Sequence, residues 1–477
     1  MTLSIAVRLA MLGKNRAMLR LRYSALLASA VIGLVLQACG LTKIDFVTPV
    51  SSTKQELVVW WAEGYFPEET DAVKLVSKKW ERLTGKKVSI EFLSENELNQ
   101  RAVQILQGSP KPDLLYGYGV GDSVAPTLAY KGYLVEANDI VKDYASDYIP
   151  GIIESVTFLN KRLNARNIYA VPVSANFLYI HYWKDLLDEA NPNTASIDIP
   201  QNWRQFWDFW GSNQANLKKA GFSKTKALGL PMSYSASDTN DIFNYFLEAH
   251  DVKILDQSGK LIIDEQSQRQ KIINALKDYT DLYKKGWVPV HATRWSNADN
   301  NINFLSSLSL LTVNPTLSIP GSQLADSVTY EQRLRTISWP TGVNNKAIKN
   351  MISVKQILIF DAGKVVDAKN FTRFFLKREN LALFNEGSQG RYLPVFKTIL
   401  SDPFWNNPRD VHIQVAKKML SSFRLPYQVL NPAYTTVVQE NIWGRAIEDI
   451  CTKNAPITTA ADDATKAIVK IFKDWNN

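Results

Sequence analysis

The sequence predicts an α/β fold built on a parallel sheet, and two features of its first third carry that prediction. Strand-like and helical segments alternate: "ELVVWWAE" precedes a helix at about 67–84, "KKVSIEFL" precedes a second helix ending near Gly108, and "KPDLLYGYG" is a third strand. Such alternation is typical of βαβ units. The 45% hydrophobic and 11% aromatic composition supplies a large core, and 477 residues suggest two or three domains.

The ends of the predicted helices are marked by residues suited to each end. Pro67 and acidic residues open the first helix and Gly85 follows it. The run Ser94-Glu95-Asn96-Glu97 is a capping box that opens the second helix. Thr459 is a candidate cap for the last helix.

The sequence pattern changes near Ile168, where "IYAVPVSANFLYIHYW" forms a long aromatic run rich in strand-forming residues. The pattern then predicts strands at 308–314 and 352–361. Helical patterns occur between and after these strands, at 201–220, 265–286, 299–309, 365–388, 410–422, 433–452 and 459–475.

The first 38 residues have the pattern of a secretory signal. They contain five basic residues, no acid, and an apolar stretch of about 15 residues. A transmembrane anchor normally needs about 20 apolar residues and is the weaker interpretation. The stretch Leu36-Gln37-Ala38-Cys39 resembles the lipobox of bacterial lipoproteins, which implies lipidation of Cys39, a tether over 39–55, and a periplasmic or extracytoplasmic location. Met11 or Met18 is an alternative start.

Charge and cysteine content exclude several classes of protein. The chain has 55 basic and 46 acidic residues, and removing the first 38 residues leaves 50 against 46, so the nucleic-acid interpretation loses its support. With Cys39 acylated, Cys451 has no disulfide partner and is expected half-buried in a helix. The four histidines lack metal-ligand spacing, so we expect no metal and no cofactor.

Three glycines follow the third strand in "LLYGYGVGDSV". The spacing of Gly117, Gly119 and Gly121 is G-x-G-x-G, which is not the dinucleotide fingerprint. We predict a tight turn at the carboxyl end of the strand, the place where open α/β sheets hold their ligands.

Aromatic residues concentrate at predicted strand ends and turns, where core packing explains them poorly. Aromatic rings stack on the C–H faces of sugars, while polar groups bind the hydroxyls. By contrast, Trp80, Trp203, Trp207 and Trp210 fit a core or a helix surface. The candidate ligand-contacting aromatics are Trp61, Tyr65, Tyr116, Tyr118, Tyr234 and Trp295, together with Arg391 beside Tyr392.

Taken in order, several segments resemble the extracellular solute-binding proteins of ABC importers, in the branch that contains maltose-binding protein. The resemblance runs from about Glu56 to Phe472 and rests on the following segments: "LVVWWAEG", "KPDLLYGYGVGDSVAPTLAYKGYLVEANDIV", "IYAVPVSANFLYIHYWKDLLDEAN", "FLSSLSLLTVNP" and "VVDAKNFTRFFLKRENLALFNEGSQGRYLPV".

The resemblance implies an α/β, type II-like periplasmic-binding-protein fold with a ligand cleft between two lobes. The implied lobes are 56–173 plus 356–402 and 174–355 plus 403–477, with hinges near Ser174–Asn176, Val354–Lys355 and Pro394–Pro403. It also implies a monomer with two kinds of partner, a small solute and ABC permease subunits. The supply of aromatic residues favours a carbohydrate as the solute, and the modest positive charge together with Arg391 keeps a phosphorylated or acidic ligand as the alternative. The candidate ligand-binding set is completed by Glu63, Asp122 and Asn176.

Two departures from the family pattern bear on the ligand. Thr316 or Leu317 falls where many sugar binders carry a stacking tryptophan, and "NMISVKQ" lacks a Gly-Gly pair common at that crossing. Three functions therefore remain open: a receptor that closes on its solute, a periplasmic carbohydrate-active enzyme, and a sensor without transport. The enzyme would need two facing carboxylates, for which Glu63 and Asp122 are among several candidates.

Overall fold

The computed structural model describes residues 56–194 and 196–476. The predicted signal peptide, the lipidation site Cys39 and the tether lie outside this range. Within it, no helix is long and apolar enough to cross a membrane.

The structure contains strands distributed over two main sheets and two short ladders. They are β1 (Glu56–Ala62), β2 (Lys87–Leu93), β3 (Leu114–Gly117), β4 (Thr157–Asn160), β5 (Ala165–Ile168), β6 (Ala170–Asn176), β7 (Tyr179–Trp183), β8 (Lys226–Gly229), β9 (Ser309–Asn314), β10 (Leu334–Ile337), β11 (Asn350–Met351), β12 (Ser353–Ile359), β13 (Leu393–Pro394) and β14 (Phe423–Arg424).

Helices cover these sheets. They are α1 (Pro67–Thr84), α2 (Glu95–Ile105), α3 (Val120–Ser123), α4 (Ala125–Tyr130), α5 (Asn138–Asp143), α6 (Lys184–Ala190), α7 (Trp203–Lys219), α8 (Ser237–Ala249), α9 (Gln266–Lys284), α10 (Asp299–Leu305), α11 (Ser318–Gly321), α12 (Val365–Phe375), α13 (Arg378–Gly387), α14 (Lys397–Leu400), α15 (Val411–Met419), α16 (Tyr427–Leu430), α17 (Tyr434–Gln439), α18 (Ile442–Thr452) and α19 (Ile457–Asn476).

The first sheet has the order β13-β6-β12-β3-β1-β2. Strand β1 pairs parallel with β2 and with β3, as the strand–helix alternation predicts. Strand β12 runs antiparallel to β3 and to β6, so the sheet is mixed, whereas the sequence pattern predicted a parallel sheet. The long return from the second sheet brings β12 into this place, and the local pattern carries no signal for it.

The second sheet has the order β10-β7-β9-β8. The chain passes from the first sheet to the second between β6 and β7, with only Phe177 and Leu178 in between. It returns through residues 338–352, which precede β12. After β13 it leaves the first sheet again, and α15 packs against β10. The first passage leaves the carboxyl end of β6 next to the start of β7 in the second sheet.

Most predicted helix ends are confirmed. Gly85 ends α1 in the left-handed conformation at φ 71°, and Ser94 Oγ accepts a hydrogen bond from Glu97 N at 3.4 Å. The prediction that Thr459 caps the last helix is wrong, because α19 begins at Ile457. Cys451 lies half-buried in α18, as expected, and burial raises the pKa of its thiol to about 12.

A buried hydrogen-bond chain ties α15 to the second sheet. Thr336 Oγ1 lies 2.9 Å from His181 Nδ1 and 2.6 Å from His412 Nδ1, and His412 Nε2 lies 3.0 Å from the Tyr330 carbonyl oxygen. A carbonyl only accepts, so neutral His412 carries its proton on Nε2. Thr336 therefore donates to His412 and accepts from His181.

These buried histidines lower the stability of the folded protein in acid. Burial, followed by the nearby His412, lowers the pKa of His181 to about 3 from an ordinary 6.5. The unfolded chain then binds more protons than the folded one below pH 6.5, so acid lowers stability, by about 2 kcal/mol at pH 5 for this group. We expect urea unfolding at pH 7.5 and pH 5 to show this difference. The His181→Asn variant should lose much of it, whereas the exposed His291→Asn should keep it.

Candidate functional site

The turn after β3 is held by a carboxylate from the neighbouring helix. Glu95, at the start of α2, accepts hydrogen bonds from the backbone N–H groups of Tyr118 (3.0 Å) and Gly119. At Gly121 an added Cβ would lie 2.7 Å from Gln356 Nε2 and 2.9 Å from the Val354 carbonyl oxygen. The predicted tight turn is therefore present, and Gly121 is required there by the close approach of β12.

A second turn places Arg391 beside the first. Gln389 and Gly390 both have left-handed backbones, at φ 52° and 76°, and bring Arg391 to the start of β13. Its guanidinium lies 4.3 Å from the ring centre of Tyr118, 4.7 Å from that of Tyr392 and 4.8 Å from that of Tyr65. Cation–π attraction on three sides fixes its position. We call Arg391 and these three tyrosines the Arg391 cage.

A buried carboxylate balances the charge of the Arg391 cage. Glu69, 1% exposed in α1, accepts a hydrogen bond from Tyr118 Oη at 2.6 Å and lies 3.5 Å from Arg391 Nη1. Burial raises the pKa of Glu69, and the neighbouring Arg391 and Tyr118 oppose the rise. The Glu69 carboxylate in turn stabilises the buried positive charge of Arg391.

Lys355 forms a second charged centre next to the cage. From β12 its Nζ donates to the Tyr118 carbonyl oxygen at 2.6 Å and to Ser353 Oγ at 2.8 Å, and Ser353 donates to Asp122. Burial lowers the pKa of Lys355 and raises that of Asp122, while the attraction between their charges opposes both shifts. We call Asp122, Ser353 and Lys355 the Lys355 centre.

Residues from the side of the second sheet contact this region. The Leu317 N–H donates to the Arg391 carbonyl oxygen at 3.2 Å, and Gln439 Nε2 donates to the Ser123 carbonyl oxygen at 2.6 Å. Asn176, at the end of β6, donates to the Pro315 carbonyl oxygen. We call the region where the cage and the Lys355 centre meet these residues the seam.

Several buried polar atoms at the seam have no hydrogen-bond partner among the described residues. Neighbouring donors and acceptors of this kind suit a solute that carries many hydroxyl groups, each of which both donates and accepts. The atoms are Glu69 Oε1, Tyr116 Oη, Ser174 Oγ, Asn176 Oδ1, Gln356 Oε1, Arg391 Nε and Nη1, and Tyr392 Oη.

The structure brings most of the predicted site residues together. Tyr118 and Arg391 form the cage with Tyr65, which is 49% exposed, and Asp122 belongs to the Lys355 centre. Asn176 reaches the seam from β6. Glu63 is exposed, and its carbonyl oxygen lies 3.1 Å from Tyr118 Oη, whose hydrogen is donated to Glu69 at the shorter distance.

Trp61, which the sequence predicts as a ligand contact, lies in the hydrophobic core. It is 1% exposed, stacks on Tyr116 with ring centres 4.4 Å apart, and packs against Phe375 and Phe384. It therefore offers no ring face to a solute in this structure. The ring of Tyr116 is equally buried, but its hydroxyl lies near Glu69 and Arg391, which both influence its pKa.

Trp295 and Tyr234 lie away from the cage. Trp295 is buried and packs edge-on against His291, 5.6 Å between ring centres. Tyr234 is 41% exposed, its backbone N–H donates to Glu448 at 2.7 Å, and the Arg445 guanidinium lies over its ring at 4.7 Å. Neither side chain contacts the cage residues in this structure.

Sequence reasoning missed three residues of the seam. Glu69 fitted the acidic first turn of α1, which explained it without a second role. Lys355 is a single lysine in a strand, and its burial depends on the antiparallel pairing of β12. Tyr392 gave a usable signal, since it adjoins Arg391. Among the described residues no group of His, Cys, Asp and Glu is arranged to hold a metal ion.

Comparison with known proteins identifies one matching family. The sequence profile described as "bacterial extracellular solute-binding protein" matches residues 76–412, well over half of the chain. A search of curated protein sequences finds no match.

Solved structures share the fold. A maltose-bound MalE3 of T. maritima superposes with a TM-score of 0.69 at 18% identity, covering 87% of this chain and 99% of that one. A sugar transporter of Arthrobacter chlorophenolicus A6 with laminaribiose gives 0.70 at 14%, with 87% and 99% covered. UgpB of Mycobacterium tuberculosis with glycerophosphocholine gives 0.67 at 19%, with 88% and 99% covered. At these identities the likeness establishes the two-lobed fold alone.

Proposed function

We propose, from the premise that the chain belongs to the bacterial extracellular solute-binding protein family, that it captures an uncharged carbohydrate between its two lobes and delivers it to an ABC importer. The solute binds at the seam, and the protein acts outside the cytoplasm. It performs no chemistry on the solute.

The observation that carries this proposal is the Arg391 cage with its unpartnered polar atoms. Tyr65, which is 49% exposed, offers an apolar ring face for the C–H surface of a sugar ring. Arg391 Nε, Tyr392 Oη and Glu69 Oε1 offer donors and an acceptor for its hydroxyls. This mixture of apolar faces and convergent polar atoms is typical of small-molecule sites.

Charge compensation within the protein favours an uncharged solute. Arg391 is paired with Glu69 at 3.5 Å. Lys355 is linked to Asp122 through Ser353. Because each of these cations already has a carboxylate, the seam holds no spare positive charge for a phosphate group. An anionic solute would have to displace an internal partner, which costs free energy.

The ligands of two structural relatives support a carbohydrate. The MalE3 and Arthrobacter structures hold maltose and laminaribiose, which are uncharged sugars. The UgpB structure holds glycerophosphocholine, so a phosphodiester is the runner-up. The internal pairing of Arg391 distinguishes the two, since it supports the uncharged class.

Capture occurs by hinge closure in this proposal. The sequence predicts the lobes 56–173 plus 356–402 and 174–355 plus 403–477. The first sheet continues to the end of β6 at Asn176, so we place the first hinge at the two-residue passage Phe177–Leu178, which is short enough for this role. Solute bridging the cage and the opposite side would stabilise the closed form, because those contacts exist only there.

Lipidation of Cys39 would hold the receptor near its permease. The proposal is supported by the basic flank, the short apolar stretch and the sequence "LQAC" in the first 39 residues. Mass spectrometry of the mature N-terminus tests it, and an unmodified N-terminus upstream of Cys39 would overturn it.

We expect uncharged di- and oligosaccharides to raise the melting temperature, and their phosphorylated counterparts to do so less. A solute that binds only the folded protein stabilises it by about 2.7 kcal/mol at one hundred times its Kd. Differential scanning fluorimetry with matched pairs, such as maltose and maltose 1-phosphate, measures this. A panel in which only anionic solutes stabilise the protein would contradict the carbohydrate assignment, and stabilisation by none would contradict solute capture.

A further inference from the structure

One side of α1 presents exposed leucines and cations together. Leu75, Lys78, Lys79, Arg82 and Leu83 follow the spacing i, i+3, i+4, i+7 and i+8, which places them along a single face of the helix. All of them are exposed, Leu75 by 43% and Leu83 by 69%. The opposite side of α1 is buried in the hydrophobic core. We call these five residues the basic face.

Neighbouring acids do not neutralise the basic face. None of its three cations takes part in an ion pair with another described residue. Asp71 and Glu81, the nearest acids on the helix, are each paired with a different lysine, at 3.2 Å and 3.8 Å. Glu56 begins β1 and Asp361 comes after β12, so neither lies on the helix. Cations in the last turn suit the helix dipole, but the dipole gives no reason for exposed leucines between them.

The basic face lies at the end of the first sheet where the predicted tether joins the fold. Glu56, the first residue of β1, pairs with Lys87 of β2, which comes two residues after Gly85 ends α1. A chain as long as residues 39–55 spans at most about 60 Å when fully extended. An anchor at Cys39 therefore keeps this end of the sheet within that distance of the membrane.

We propose that the basic face docks on a membrane surface that carries anionic phospholipid. Lysine and arginine are attracted to the anionic headgroups, and exposed leucines bury their side chains at the boundary with the acyl chains. Such a contact is weak alone, but the tether holds the face at a high effective concentration near the surface. The inference rests on the membrane anchoring in the proposed function, and it adds the orientation of the anchored protein.

Docking determines which way the seam faces. Strands β1 and β3 are parallel, with their amino ends on the side of the basic face. Their carboxyl ends lead into the turns that carry Tyr65 and Tyr118 of the Arg391 cage. The docked protein therefore directs the seam away from the membrane, where solute arrives. Delivery to a permease requires the lobe to lift off, which a weak contact permits.

The test measures how close the basic face lies to the bilayer in the full-length protein. The protein is produced with its own leader and reconstituted into vesicles of phosphatidylcholine, or of equal parts phosphatidylcholine and phosphatidylglycerol, that contain nitroxide-labelled lipid. A fluorophore on Thr84→Cys, exposed at the end of α1, reports quenching after Cys451 is replaced by serine. We expect strong quenching only in the anionic vesicles, and we expect high salt to remove it. A fluorophore on Ile302→Cys, 60% exposed in α10, should stay unquenched.

Two triple variants with the same change of charge make the test specific. Each base near an anionic surface contributes about a fivefold factor to binding, so replacing Lys78, Lys79 and Arg82 by glutamine should lower the docking equilibrium constant about 100-fold. The control replaces Lys218, Lys219 and Lys224, three exposed lysines of the second lobe, by glutamine, and it should be quenched like the parent.

Two results would overturn the proposal: equal quenching in both kinds of vesicle, or a basic-face variant quenched like the parent. A face that served an acidic protein would give the first of these. Mass spectrometry decides the lipidation of Cys39 separately. If Cys39 is unmodified, the Cys39→Ser protein is added to the same vesicles, and the same difference in quenching is expected at higher lipid concentration.

Discussion

Replacing Arg391 by methionine should lower the free energy of unfolding by about 3 kcal/mol and remove solute binding at the seam. The variant leaves Glu69 buried in α1 with Tyr118 as its remaining hydrogen-bond partner. Breaking a buried ion pair by removing one partner is strongly destabilising, since the other charge stays desolvated. Chemical unfolding and calorimetric titration with the best sugar of the panel measure the two effects.

A double variant separates the loss of stability caused by Arg391→Met from the loss of binding. Adding Glu69→Gln removes the orphaned charge, so the double variant should regain most of the stability without regaining binding. The exposed pair of Arg269 with Asp462 at 2.7 Å is the matched control, and Arg269→Met should unfold within error of the parent. If Arg391→Met bound sugar with parental affinity, the cage would not be the binding site.

Replacing Trp61 by alanine should lower the free energy of unfolding by about 4 kcal/mol. The indole fills the core between β1 and the helices α12 and α13, and its removal leaves a cavity beside Tyr116, Phe375 and Phe384. The loss comes from packing, so Trp61→Phe should bind sugar with nearly parental affinity. Urea unfolding measures the first effect and titration the second.

The neighbouring tryptophan is the control for this prediction. Trp60 points to the other face of β1, is partly exposed, and lies beneath the Arg101 guanidinium at 5.3 Å. Trp60→Ala should therefore cost much less stability than Trp61→Ala. A Trp61→Ala variant with parental stability and lost binding would show instead that Trp61 contacts the solute.

The sequence predicted the elements that have a clear period or clear caps. Helix α1 begins at the predicted Pro67, and α2 follows Ser94, because caps act locally. Helix α8 was not predicted. Both sides of it are buried, including Asp238, Asn240 and Asn244, so its residues show no simple alternation of apolar and polar faces.

The sequence predicted those residues of the candidate site that lie in turns among other aromatic residues. It did not predict those whose position depends on how the strands pair. Tyr118 and Arg391 stand in turns among aromatic residues, which the sequence shows directly. Lys355 comes to the seam only because β12 pairs antiparallel with β3 and β6. For Trp61 the sequence located the end of the strand but not the face on which the side chain lies. That face depends on the register of the strand and on the helices that cover the sheet.

A crystal structure with the sugar selected by the melting-temperature panel tests the central claim most directly. We predict density for the sugar at the seam, with a ring against Tyr65 and hydroxyls within hydrogen-bond distance of Arg391 and Lys355. We also predict that the internal pair of Arg391 and Glu69 stays intact. A sugar bound elsewhere, or at the seam without contact to the Arg391 cage, would contradict the account.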